Sequence, residues 1–204
     1  MTAVACTLLS NRPVAVTGSA GGVVRVWDLT SGEPLNRALA GTKSVAAVAC
    51  TVVNNRPVAV IGSDGGGGSV RVWDLTSDEP VGRLIADDTG PVAAMACSVL
   101  NDRPVAVTVT ITGSHDRAVK VWDLPPGEPL GRPLAGHTRP VTAMACTVVN
   151  NRPVAVTGTD QGGSGGGWVR VWDLTSGESI GRPLTGQFGP VYAVACTVLD
   201  GRPI

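Results

Sequence analysis

Short apolar runs recur along the chain and are punctuated by turn residues. One of them, VAAVACTVV at Val45–Val53, is apolar at nearly every position, with close copies at 3–9, 92–100 and 141–149. Filling both parities predicts a strand covered on both faces. Two turn residues follow each run: Ser10-Asn11, Asn54-Asn55, Asn101-Asp102, Asn150-Asn151 and Asp200-Gly201. Asn, Asp and Gly accept the positive φ of a tight hairpin. A second strand opens on Arg-Pro and continues Val-Ala-Val, with Pro at the first position, where no ladder donor is needed. A third strand reads V-R-V-W-D-L (24–29), followed by Thr-Ser-Gly-Glu-Pro and a short fourth strand such as 35–39. Connections this short pair each strand with the one before it.

The pattern is a tandem repeat. Cys stands at 6, 50, 97, 146 and 196, in steps of 44, 47, 49 and 50 residues, and Trp-Asp at 27–28, 73–74, 122–123 and 172–173, in steps of 46, 49 and 50. A period near ~45 residues with four strands is that of a propeller blade. The growing steps come from insertions between the second and third strands at 65–69 and 161–167, and from Val-Thr-Ile-Thr (109–112) inside the second strand of the third unit. An even insertion preserves the alternation of faces.

Composition narrows the function. Sixteen basic residues balance sixteen acidic ones, which argues against nucleic acid or an anionic membrane as partner. With 43% hydrophobic and 16% charged residues, the chain is not a disordered tail. The core must be built from Val, Ala and Leu, because aromatics are limited to five Trp, Tyr192 and Phe188. The longest uncharged stretch, 183–199, has 17 residues but carries two Pro, two Gly and a Gln, so no segment reads as membrane-spanning. The apolar N-terminus lacks a basic region and its motif recurs inside the chain, so it reads as structure and not as a signal, and a cytoplasmic location is expected.

V-R-V-W-D-L preceded by Thr-Gly-Ser and followed by Leu-x-Gly-His resembles the WD-repeat β-propeller family, and the A-C-T-V wording is similar to bacterial, actinomycete-like members. The resemblance implies an all-β fold: a single propeller region over 1–204, with blades near 1–41, 42–88, 89–136 and 137–186 and a partial fifth at 187–204. It also implies a non-enzymatic scaffold for protein or peptide partners, or the sensor arm of a bacterial signalling protein. In the family a His, a Ser/Thr of the second strand, an Asp of the following turn and the Trp form a hydrogen-bonded chain. Carried over, it matches His137, Thr157 and Trp172 in the fourth unit, with Gln161 at the Asp position, and Thr112, Asp116 and Trp122 in the third. The second unit has Ile61 and the first has Thr17 with Trp27. The repeat residues Trp27, Asp28, Trp73, Asp74, Trp122, Asp123, Trp172 and Asp173 are read as structural, and the polar stapling as weak. Both chain ends carry the same strand, which leaves an incomplete or open ring: either a piece of a longer propeller, without activity of its own, or an arc that self-association completes.

Chemistry-bearing sets are absent. Five Cys in one repeat position read as buried, reduced thiols that point away from each other. The two His lack zinc spacing, and the glycine runs 65–68 and 162–167 have no helix or Lys to make a phosphate loop. No catalytic residue, metal or cofactor is expected. Recognition is assigned to irregular residues on the face where the longer loops emerge: Lys43, Asp88, His115, Arg117, Arg139, Trp168 and Phe188. Trp168, the one Trp without a following Asp, should share a strand face with Arg170 and Trp172. On the opposite face, Arg12, Arg56, Arg103 and Arg152 should pair with Glu33, Glu79, Glu128 and Glu178 as surface ions.

Overall fold

The computed structural model describes residues 2–39, 44–65, 67, 68–77, 79–81, 86–87, 90–111, 117–124, 128–130, 134, 137, 139–160, 166–185, 189–199 and 202–203. Among these every regular element is a β-strand. The chain divides into two compact units, Met1–Val92 with Asp123–Glu128, and Ala93–Trp122 with Pro129–Ile204.

The first unit holds two four-stranded antiparallel sheets, each a meander in chain order. One is β1 (Ala3–Leu9), β2 (Arg12–Gly18), β3 (Val24–Asp28) and β4 (Pro34–Leu39). The other is β5 (Val45–Val53), β6 (Arg56–Ser63), β7 (Ser69–Asp74) and β8 (Ala86–Asp87). In the second unit, β9 (Val92–Leu100), β10 (Arg103–Ile111) and β11 (Arg117–Asp123) form a three-stranded sheet. Among the described residues, the place of a fourth strand is marked by bridges from Val119 to Leu134 and from Trp122 to Pro129. A full sheet follows, β12 (Val141–Val149), β13 (Arg152–Thr159), β14 (Val169–Asp173) and β15 (Ser179–Leu184), and then the pair β16 (Val198–Leu199) and β17 (Arg202–Pro203).

Register follows from the first hairpin. Both central residues of each described turn have positive φ, 48–63° at Ser10-Asn11, Asn54-Asn55, Asn101-Asp102 and Asn150-Asn151. That is the geometry whose twist matches the flanking strands. It sets Leu9 opposite Arg12 and Cys6 opposite Ala15, and the same register recurs as Cys50 opposite Ala59 and Cys146 opposite Ala155. Asp200-Gly201 lies outside the described residues.

Sheets in each unit stack through Val-rich faces. In the first unit Val14, Val16, Val24 and Val26 pack against Val48, Ile61, Trp73 and Leu75 of the next sheet. In the second, Val105, Val107, Val119 and Val121 pack against Trp172 and Leu174. Glycine allows the close approach: a Cβ on Gly18 would stand 2.2 Å from Val45 Cγ1, and one on Gly158 2.4 Å from Val191 Cγ1. A threonine latch joins the same places, with the Thr2 hydroxyl donating to the Val45 carbonyl and that of Thr142 to the Val191 carbonyl at 2.6 Å.

The thiols correct one expectation. None of the five cysteines forms a disulfide, but Cys6 is exposed and the others are half-buried. Burial pushes Cys50 and Cys146 up to about 12, with a second contribution from the neighbouring Cys6 and Cys196 respectively. Thiols of successive units therefore lie within electrostatic reach, because the first strands of adjacent sheets run side by side.

Candidate functional site

Each Trp-Asp pair works as a local brace. In β3, Asp28 Oδ1 accepts from the backbone N–H of Thr30 at 2.7 Å and of Ser31 at 3.2 Å, capping the turn into β4. Its Oδ2 accepts from the Arg12 guanidinium at 2.6 Å. The arrangement repeats as Asp74 with Thr76 and Arg56, and as Asp173 with Thr175, Ser176 and Arg152. Arg12, Arg56 and Arg152 thus pair with the Trp-Asp carboxylate, where the Glu of the turn was expected as partner. The register explains why: Asp28 stands opposite Val14, and Arg12, two residues earlier, lies on the same face. The backbone bonds from Thr30 and Ser31 hold Asp28 below the usual carboxylate range, against the effect of burial, with Arg12 adding its charge. At Asp74 and Asp173 burial is the largest influence and opposes ionisation, yet the hydrogen bonds from Thr76 and Arg56, and from Thr175 and Arg152, outweigh it.

The Trp indoles lean on threonine. Trp27, Trp122 and Trp172 donate Nε1–H to Thr17, Thr108 and Thr157 at 2.8, 2.8 and 2.9 Å. Thr108 corrects the expectation for the third unit, where Thr112 was assigned the hydroxyl. The hairpin sets the count, so the threonine is the fifth residue after Arg103, as Thr17 is after Arg12, and the insertion falls beyond it. Thr112, Asp116 and Gln161 lie outside the described residues. Where Ile61 replaces threonine, Trp73 Nε1 is buried without a hydrogen-bond partner.

His137 extends one of these pairs. Its Nε2 lies 3.0 Å from Thr157 Oγ1 and its ring stacks on Trp172 with centroids 4.3 Å apart. Burial pushes its pKa down to about 4; the Leu134 backbone acts in the opposite sense, and the Arg170 charge adds to the lowering. Because the folded value lies below the unfolded one of about 6.5, folding favours neutral His137. Its contribution is complete above pH ~6.5 and is lost as pH falls toward 4, with a slope of up to about 1 kcal/mol per pH unit. Melting temperatures followed from pH 7 to pH 4 should fall in the wild type and fall less in His137→Gln.

Trp168 sits at the entry to β14, beside that chain. Its backbone N–H donates to Thr159 Oγ1 at 3.0 Å, and its carbonyl accepts from the Thr159 N–H at 2.9 Å. The Arg139 guanidinium lies 4.4 Å from the centre of the Trp168 ring and donates to the Gly166 carbonyl at 3.1 Å. Arg170 is 5.8 Å from the same ring and 5.9 Å from that of Trp172. Gly167 is required here, since a Cβ would stand 2.6 Å from the Thr159 carbonyl oxygen and 2.8 Å from that of Gly189.

Of the recognition candidates, the structure brings Trp168 and Arg139 into contact. Arg117 opens β11, and its side chain is not among those described. Lys43, Asp88, His115 and Phe188 lie outside the described residues. Arg170 is the member that sequence reasoning left off the candidate list, although its place two residues from Trp168 and two from Trp172 on one strand marked it. Among the described residues no group of three or more His, Cys, Asp or Glu is placed to hold a metal, and no helix is long and apolar enough to cross a membrane.

Antiparallel sheets of three or four strands, braced at Asp28, Asp74 and Asp173 of their Trp-Asp pairs, have the form of propeller blades. Residues 79–123 match the family described as WD domain, G-beta repeat, so the chain contains a WD repeat. The match runs from Glu79, after β7, to Asp123 at the end of β11. No curated protein matches the chain. WD repeats generally mediate contacts between proteins.

Proposed function

We propose that this chain is a non-enzymatic, cytoplasmic scaffold that binds a partner protein or peptide on the loop face around Trp168. The observation that carries this reading is the 4.4 Å stack of Arg139 on Trp168. The pairing is not part of the repeat: Val23, Ser69 and Ala118 stand at the Trp168 position, and Lys43, Gly90 and Gly189 at that of Arg139. A regular frame with one irregular cation–aromatic pair is the pattern of a recognition site. Two guanidinium groups beside one indole suit a segment offering a carboxylate next to an apolar side chain. By their places in the repeat, His115, Arg117 and Phe188 are proposed for the same face, and Lys43 and Asp88 for the corresponding face of the first unit.

The test is capture from an acidic-peptide library by wild type, Trp168→Ala and Arg139→Ala, each checked for unchanged circular dichroism. Both variants should bind the selected peptides at least about tenfold more weakly. Unchanged binding by both would remove the site.

A further inference from the structure

The second sheet breaks the hydrogen-bond pattern of the repeat beside Trp73. Trp27, Trp122 and Trp172 each donate to a threonine, but Ile61 holds that position in the second sheet. Trp73 is 7% exposed and Ile61 1%, so bulk water does not stand in for the lost acceptor. Two residues earlier on β7, Arg71 is half-buried. Its Nε and Trp73 Nε1 are both buried without a hydrogen-bond partner. A buried donor left unpaired is costly, and more so when it belongs to a charged group.

The two donors share one face. Residues i and i+2 of a strand point the same way, and the register sets Arg71 opposite Ile61 and Trp73 opposite Ala59. Ala59, Ile61 and Trp73 belong to the packed layer that holds Val14, Val16, Val24 and Val26 of the first sheet. Elsewhere in the repeat the cation at the Arg71 position converges on its indole: Lys120 Nζ lies 5.8 Å from the centre of the Trp122 ring, and the Arg170 guanidinium 5.9 Å from that of Trp172. Ser63 and Ser69, the next pair along the face, are bonded to each other at 2.9 Å.

The chemistry selects the ligand. Two N–H donors and a positive charge meet a layer of Val, Ala and Ile side chains that hold no acceptor. A water molecule could accept from both donors, but its own two hydrogens would find no partner among those side chains. A halide accepts, has nothing to donate and balances the guanidinium. Neighbouring side chains on one strand face stand about 7 Å apart, a span that one acceptor of that size bridges.

We propose that Arg71 and Trp73 bind a small monovalent anion of the halide class, which accepts from Arg71 Nε–H and Trp73 Nε1–H between the first and second sheets. The site lies within the first unit and does not involve Trp168, so its failure would leave the loop-face reading intact.

Chloride is the probe, with gluconate, too large to enter, holding the ionic strength constant. Over about two decades of chloride concentration the melting temperature of the 204-residue chain should rise, and the chloride magnetic resonance line should broaden in its presence. Arg71→Gln, checked by circular dichroism, should reduce the broadening at least about tenfold. Ile61→Thr should reduce it by another route. It supplies the hydroxyl that the other three indoles use, and in gluconate alone it should melt above the wild type. Arg25→Gln is the control, at the same repeat position in the first sheet, where Trp27 already bonds to Thr17; it should leave the chloride response unchanged. A melting temperature independent of chloride, or equal broadening by wild type, Arg71→Gln and Ile61→Thr, would overturn the proposal. So would a loss in Arg25→Gln as large as in Arg71→Gln, the mark of a surface-ion effect.

Discussion

Trp172→Ala should destabilise the second unit by about 3–5 kcal/mol, the largest effect of any single change considered. Its indole is 1% exposed and packs with Val105, Val107, Val119 and Val121 of the preceding sheet. Truncation leaves a cavity that a β-sheet interface cannot collapse. It also removes the donor to Thr157 and the ring on which His137 stacks. Trp27→Ala is the internal comparison: the same repeat position and the same bond to threonine, but half-buried. Its cost should be well under half as large. Urea denaturation followed by far-ultraviolet circular dichroism measures both, and equal costs would contradict the packing account.

Gly18→Ala should cost about 1–3 kcal/mol, although the change adds one methyl to a strand and alanine is ordinarily the better strand residue. The new Cβ would lie 2.2 Å from Val45 Cγ1 and 2.8 Å from Val45 Cβ, with Val48 at 3.3 Å. A β-branched side chain anchored at Cβ cannot swing aside, so the two sheets must separate. Gly21→Ala is the control, since its Cβ would meet only Ser19 Oγ at 3.9 Å. It should be neutral or slightly stabilising through the unfolded chain. The pair of melting temperatures reads out how tightly adjacent sheets approach. Loss of stability at Gly21 and not at Gly18 would refute the interface.

Much of this architecture was legible from residue order alone. Asn54-Asn55 and its equivalents announced the positive-φ hairpin, and VRVWD announced the third strand. Trp168 was singled out by its missing Asp, and Arg139 by its loop, before either was seen to meet the other. Other readings failed for a common reason: they needed register. Carrying over the family pattern puts the third unit's hydroxyl at Thr112, whereas counting forward from the hairpin leads to Thr108. Charge alternation paired Arg12 with Glu33, whereas cross-strand geometry pairs it with Asp28. Equivalence of the five Cys predicted equal burial, yet Cys6 is exposed while the other four are half-buried.

Period, strand order and turn type are local properties, so spacing and composition by themselves determined them: a two-residue hairpin constrains only its own φ and ψ, and an apolar run constrains only its own strand. Which copy of a repeated residue is buried, which carboxylate an arginine reaches and which ring lies under Arg139 were decided only when sheets stacked. Those outcomes depend on side chains 16 to 29 residues apart being placed within a few ångströms. Identical words in the sequence therefore acquire different environments, as exposed Leu29 and buried Leu75 do.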